Sequence, residues 1–437
     1  MYLAGSKARQ DESGAAVHPQ VGRRAAGVGS TAIALGVVSL LTDLSSEMVT
    51  AVLPLYLVIG LGMTPLAFGF LDGLYNGVTA FVRLLGGHVA DRWSQHKLVA
   101  GIGYGLSAIC KPFLLLSGTS TVALSATLAV DRIGKGIRTA PRDALISLSV
   151  DDAHQGRAFG VHRAMDTAGA LLGPLAAFGL LWMLADAFDA VFIVSFCVAS
   201  LGVLVLIAFV PGRRSMPVGA PRPTLRETVR ILGEPVFRRL LIAATILGLA
   251  TVGDGFLYLG LQERMQLDAA FFPLLPLGSA LVYLVLAVPM GRLADRIGRR
   301  LPFLLGNLAL IGAYSTLLLP IEGPLLLVLL LGLLGVFYAA TDGVLMALAG
   351  PRIPRERRAG GMALLQTGQA TGRLFAAIMF GAAWTFWGMT AAFAAAAVAL
   401  LAVLIAAAVL IRPEQRAGEE GAAEQPAAQQ SATGEGL

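Results

Sequence analysis

Charged residues are scarce in this chain. They make up 14% of its 437 residues, against 56% hydrophobic, where about a quarter is usual for a soluble globular domain. With a mean hydropathy of +0.74, too little polar surface exists to cover a water-exposed fold, and the chain reads as an integral membrane protein. Cysteine is nearly absent: Cys110 and Cys197 stand far apart, each in an apolar run, which excludes a disulfide framework or a thiolate metal cluster and predicts two buried free thiols. No His-Glu-x-x-His, Gly-x-Ser-x-Gly or phosphate-binding P-loop occurs, so neither an enzyme of those kinds nor an ATP-driven pump is indicated. The net charge of +6 comes from arginines in short connections between apolar runs, where they act as topology signals rather than as a nucleic-acid surface.

What the chain has is long apolar runs. Twelve candidate spans lie near 31–60, 66–91, 97–117, 121–141, 157–184, 187–211, 237–262, 269–291, 299–320, 323–350, 358–386 and 388–411. Residues 1–30 and 412–437 are polar, small and mixed in charge and are expected to be disordered tails. No cleavable signal is expected, because the first apolar run is far longer than a signal core. Arginine and lysine fall in alternate connections, among them Arg92 and Lys97, Arg142 and Arg157, and Arg352 to Arg358, while the other connections are nearly bare. Both termini are therefore expected on the cytoplasmic side of the membrane. The longest connection, 212–236, separates bundles at 31–211 and 237–411. Its Thr224-Leu-Arg-Glu227 capping pattern, with Leu225, Val229 and Leu232 at helical spacing, predicts a short amphipathic surface helix.

Ionisable groups inside apolar spans are costly and normally face a cavity or a partner. Span 4 continues into Asp131, Arg132, Lys135 and Arg138; Asp131, Lys135 and Arg138 share one helix face, and Asp131 and Arg132 lie near mid-depth. Asp43 and Glu47 share a face of span 1. His162, Arg163 and Asp166 follow in span 5, and a His with an Asp on its face suits proton handling. The second half supplies Asp254 and Tyr258 in span 7, Asp342 in span 10, and Gln366, Gln369 and Arg373 in span 11. Asp72 and Arg83 of span 2 are assigned instead to contacts between the halves. Asp131, Lys135, Arg163 and the second-half groups are the substrate-binding candidates. Their mixed signs suit an anionic or zwitterionic small molecule at least as well as a lipophilic cation.

The halves repeat one another. Gly86-Gly-His-Val-Ala-Asp91-Arg92 after span 2 is echoed by Met290-Gly-Arg-Leu-Ala-Asp295-Arg296-Ile-Gly298-Arg299-Arg300 after span 8, and Arg157-Ala-Phe-Gly160 by Arg358-Ala-Gly-Gly361. Elements recurring in the same order predict two pseudo-symmetric six-helix bundles about an axis along the membrane normal, with a central cavity between them.

These residues resemble the major facilitator superfamily across all twelve spans. The Gly291 to Arg300 loop is similar to that family's cytoplasmic signature, and implies a conformational clamp made by Asp91, Arg92, Asp295, Arg296, Arg299 and Arg300. In the first copy, Trp93-Ser94 replaces the turn glycine. Leu128-x3-Arg132-x2-Lys135-Gly136-x3-Ala140 resembles the span 4 motif of the drug/proton antiporter branch, whose arginine is linked to proton coupling; Lys135 stands where that branch has a polar amide. Gly169-Ala-Leu-Leu-Gly173-Pro174 resembles its span 5 motif, and small residues there imply close helix packing with a hinge at Pro174. Span 4 and Thr42-Asp43-Leu-Ser-Ser-Glu47 also resemble a subgroup of bacterial permeases. The resemblance implies a monomeric, proton-coupled exporter of a small organic molecule working by alternating access. It would use no cofactor beyond the proton gradient, with Asp43, Glu47, Arg132, His162 and Asp166 as the coupling groups. An importer of an organic anion or metabolite is the second expectation, and a membrane-embedded enzyme or sensor the third.

Overall fold

The computed structural model describes residues 30–93, 96–147, 149–150, 155–212, 230–349 and 358–410. The two tails and most of the connection with its capping pattern lie outside these residues. The described residues form helices and contain no strand. In chain order the α-helices are α1 (Ser30–Leu55), α2 (Pro65–Trp93), α3 (His96–Leu116), α4 (Thr121–Ser147), α5 (Gln155–Met183) and α6 (Phe188–Phe209). The second half has α7 (Pro235–Ala250), α8 (Asp254–Met265), α9 (Leu274–Ile297), α10 (Arg300–Thr316), α11 (Pro324–Ala349) and α12 (Arg358–Leu410). A π-helical turn, Tyr56–Gly60, prolongs α1, and Tyr56 packs there on Phe188 and Phe192 at the start of α6. Gly388, at φ 81°, breaks α12 into two arms.

Eight stretches among the described residues are long and apolar enough to cross a membrane. The expected spans near 66–91, 121–141 and 299–320 coincide with α2, α4 and α10. Of these, α4 carries four ionisable side chains between Asp131 and Arg138, and α10 is 17 residues long. Span 7 is not one helix: α7 stops at Ala250, residues 251–253 are extended, and α8 starts at Asp254. Tyr314 O–H holds the freed backbone there, accepting from the Val252 N–H at 2.8 Å. An irregular stretch at membrane depth persists only where protein or a cavity satisfies it.

The packing repeats between halves. In the first half α1 packs on α5 and α6, α2 on α4, and α3 on α4 and α6. In the second, α7 packs on α12, α9 on α11, and α10 on α11 and α12. The small-residue stripe explains the α1–α5 contact: a Cβ on Gly173 would stand 2.6 Å from Glu47 Cβ and 2.8 Å from the Leu44 carbonyl. Gly368 and Gly372 of α12, also four apart, meet Leu241 and Thr245 of α7 in the same way. Between the halves, α2 packs along α12 and α5 on α9. These junctions gather at the face away from the 212–234 connection: Leu66 N–H donates to Thr385 Oγ1 at 3.0 Å, Phe68 packs edge-on against Phe256, and Trp182 against Phe271. Gly73 lets α2 approach closely, since a Cβ there would be 2.8 Å from the Leu374 carbonyl. Of the two cysteines, Cys110 is buried as expected, whereas Cys197 is exposed on the outer surface of α6.

Candidate functional site

A cavity of about 450 Å³ lies between the halves, beneath these α2–α12 and α2–α8 contacts. Glu47 and Thr50 of α1 and Asp72, Tyr75 and Asn76 of α2 line one wall. The other is formed by the α7–α8 break with Asp254 and Tyr258, Ser279 and Tyr283 of α9, Tyr338 of α11 and Arg373 of α12. Because α8 begins at the break, its N-terminal end opens on the cavity, with Asp254 in its first turn. The Tyr338 hydroxyl lies between the two Asp254 carboxylate oxygens, at 2.7 and 2.6 Å. Tyr258 and Ser279 hydroxyls hydrogen-bond at 2.8 Å, as do those of Thr50 and Tyr75 at 2.9 Å. Asn76 Nδ2 donates to Asp72 Oδ1 at 3.3 Å. Arg373 Nε is buried without a hydrogen-bond partner.

A second set of charges is sealed inside the first half. Asp131 sits between the Arg132 guanidinium, which it binds closely, and Lys111, whose Nζ is 3.6 Å from Asp131 Oδ1. Arg132 also lies over the Tyr75 ring, 3.9 Å from its centroid, a favourable cation–π arrangement. The chain Lys111–Asp131–Arg132–Tyr75–Thr50 thus runs from α3 through α4 and α2 to the cavity wall. A third set lies nearer the connection face. Arg138 is 3.7 Å from Asp43, and the carboxyls of Asp43 and Asp166 are neighbours. Asp166 also meets Arg163 at 3.3 Å and Arg142 at 3.9 Å. His162 Nε2 shares a hydrogen bond with Ser39 Oγ at 2.8 Å rather than with Asp166.

Several sequence expectations change place. Asp43, Glu47 and Arg132 do not form one centre: Glu47 lines the cavity, Asp43 pairs with Arg138 and Asp166, and Arg132 pairs with its neighbour Asp131. A shared depth in the membrane does not set which helix faces meet. Asp131, Lys135, Arg163, Gln366 and Gln369 do not line the cavity. Asp131 is consumed by its buried ion pairs, and the Arg163 side chain is 79% exposed. Asp72, assigned to contacts between the halves, does approach Gly253 of the second half and lines the cavity as well. Of the clamp residues, Asp295 is 73% exposed and pairs at 3.8 Å with Arg299 one turn away on the same stretch, so it bridges no halves here. Arg300 donates instead to the Ala408 carbonyl at 2.6 Å, closing the end of α12. The side chains of Arg83, Asp91, Arg92 and Asp342 lie outside the described ones. Sequence reasoning missed Lys111, which an ionisable group mid-span should have flagged, and Tyr75 and Tyr338, for which no sequence signal existed.

The comparisons agree with this architecture. An MFS-type transporter of Methanocaldococcus jannaschii is 30% identical over 357 residues, covering 80% of this chain and 87% of that one. A Mycobacterium tuberculosis protein is 28% identical, covering 72% of each. Among solved structures, the nucleoside transporter NupG superposes with a TM-score of 0.76 at 14% identity, over 88% of this chain and all of that one. A peptide transporter POT in complex with sulfate gives 0.71 at 17% identity, over 89% and 96%. The Major Facilitator Superfamily model matches residues 35–281 and 269–434. The chain therefore belongs to the Major Facilitator Superfamily and is a membrane transporter of that kind rather than an enzyme.

Proposed function

We propose that the chain is a proton-coupled exporter of a small organic molecule, working by alternating access as a monomer in a bacterial inner membrane with both termini in the cytoplasm. The observation that carries this reading is the separation of two sites. Substrate would occupy the cavity between the halves, while Asp43 and Asp166 stand apart from it, in carboxyl-to-carboxyl contact within the first half. Two neighbouring carboxyls are best accommodated when one of them takes up a proton, and Arg138, Arg142 and Arg163 offer competing positive charge. Rearrangement of α1 against α5, which meet through Gly169 and Gly173, would release that proton or take it up. With the connection face cytoplasmic, the contacts along α2 and α12 form the closed outer gate of an inward-facing state. The exposed Asp295 carboxylate, paired only with Arg299 of its own stretch, fits that state, since its clamp would engage in the other.

One observation favours import of an organic anion as the second reading: Arg373 faces the cavity with Nε unpaired, ready to hold a carboxylate. Reconstitution in proteoliposomes with an imposed pH gradient separates the two, because export and import accumulate substrate under opposite gradients. Proton flux unaffected by any transported substrate would defeat the coupling itself.

A further inference from the structure

The charges lining the cavity are unequal. Glu47, Asp72 and Asp254 bring three carboxylates, against which Arg373 is the one basic side chain among the described lining residues. The bases that made the cavity look hospitable to anions are elsewhere: Arg132 is spent on Asp131, and Arg163 points outward. Two of the three acids come from opposite halves. Asp72 of α2 reaches across to the break in the second half, so that a Cβ on Gly253 would stand 2.6 Å from Asp72 Oδ2, and Asp254 is the next residue. Neither has an ion-pair partner among the described residues. Each is held by neutral donors only, Asn76 for Asp72 and Tyr338 for Asp254.

We propose that Asp72 and Asp254 together bind the ammonium group of a small cationic or zwitterionic substrate, and that this bridge joins the two halves. The inference rests on the transporter reading above and adds the chemical class of its cargo. Two carboxylates facing one another in a site shielded from bulk water repel strongly, and a cation between them replaces that repulsion with two attractions. Only when the halves are together are both carboxylates within reach, so the cation binds the closed arrangement better and shifts the population toward it. Tyr258 and Tyr338 supply rings and hydroxyls suited to an ammonium and the apolar body attached to it, beside Tyr75, one face of which already carries Arg132. Arg373 then takes the carboxylate of a substrate that has one. An anion without an ammonium finds one guanidinium against three acids.

Three probes of one shape separate the possibilities on the purified full-length protein, by titration calorimetry and thermal shift. They are tyramine with an ammonium, tyrosine with both charges, and 3-(4-hydroxyphenyl)propionate with a carboxylate alone. Tyramine and tyrosine are expected to bind and the propionate to bind at least tenfold more weakly. Asp72→Asn and Asp254→Asn should each weaken tyramine at least tenfold, Asp72→Glu should restore part of the loss, and Asp189→Asn, outside the cavity, should change nothing. Arg373→Gln should weaken tyrosine but not tyramine. Absence of tyramine binding, equal binding of the propionate, or unchanged affinity in both Asn variants overturns the assignment. The comparison of probes on the native protein stands even if a variant fails to fold. Binding that follows this pattern with no movement into vesicles would instead defeat the transporter reading and leave the site in place.

Discussion

Lys97 and Arg300 are counterparts. Each lies at the start of the third span of its half, and each donates from its charged end to a carbonyl at the close of the sixth pass: Lys97 Nζ to Ile207 at 2.9 Å, and Arg300 Nη2 to Ala408 at 2.6 Å. Terminal carbonyls of a helix lack intrahelical partners, and a cation beside them also complements the helix dipole. The two residues come from the repeated loop after the second span of each half, so one element of that motif serves as a helix cap rather than as part of a clamp between halves. Lys97→Met and Arg300→Met are expected to cost about 1–3 kcal/mol each and to lower the melting temperature in detergent while leaving substrate affinity unchanged. A fall in affinity without a fall in melting temperature would contradict the capping role.

Lys111 and Asp131 form a buried pair, with side chains 4% and 12% exposed. Asp131 keeps its Arg132 partner when Lys111 is removed, so Lys111→Met should destabilise by less than the about 3–5 kcal/mol of a stranded buried charge, a cost that Asp131→Asn, which leaves both cations without a carboxylate, should reach. The Lys111→Met/Asp131→Asn double variant still leaves Arg132 without its carboxylate but should be less destabilised than the sum of the single variants, and a double-mutant cycle on thermal unfolding measures the coupling. Strict additivity would show that the two side chains do not interact.

The glycines of the α1–α5 contact make a steric prediction. Gly173→Leu would drive a side chain into Glu47 and the Leu44 carbonyl, costing about 1–3 kcal/mol or more and blocking transport. Gly105 meets nothing within 4 Å of the Cβ position, so Gly105→Ala should be near neutral. Gly73→Leu should hold α2 away from α12 and make a cysteine placed at Leu66 more reactive to a membrane-impermeant maleimide. Unchanged labelling would place the moving contact elsewhere.

Coupling and clamping are tested separately. Asp43→Asn and Asp166→Asn are each expected to abolish accumulation driven by a pH gradient while preserving counterflow, because the exchange half of the cycle needs no net proton movement. Arg132→Ala should impair both, since it unseats Asp131 and Tyr75 together. Gradient-driven uptake that persists in the Asp43→Asn/Asp166→Asn double variant would remove the carboxyl pair from the mechanism. Asp295→Asn should leave the stability of this conformation within about 0.5 kcal/mol of native, as for an exposed side chain, yet slow transport by weakening the opposite state. Full-speed transport would end the clamp assignment.

The amino-acid sequence by itself determined that this is a helical membrane protein with a repeated half, because hydropathy and positive charge act locally on each span and need no knowledge of its neighbours. It also marked the packing stripe at Gly169 and Gly173, since small residues four apart make a flat helix face whatever meets it. Which ionisable groups work together was decided only in three dimensions. Arg132 and Lys135 look like cavity residues from their depth, yet the Arg132 side chain folds onto its neighbour Asp131, and the rotation of α4 about its axis leaves Lys135 off the cavity wall. Asp72 is expected at a contact between the halves, and the absence of a side chain at Gly253 lets it approach the second half there, but only the break at 251–253 shows that this contact is also cavity wall. The acidic balance of the cavity, and with it the class of molecule the site suits, follows from helix rotations and crossings. Those are set by contacts between residues far apart in the chain, such as Gly73 with Leu374 and Val252 with Tyr314, which no local pattern records.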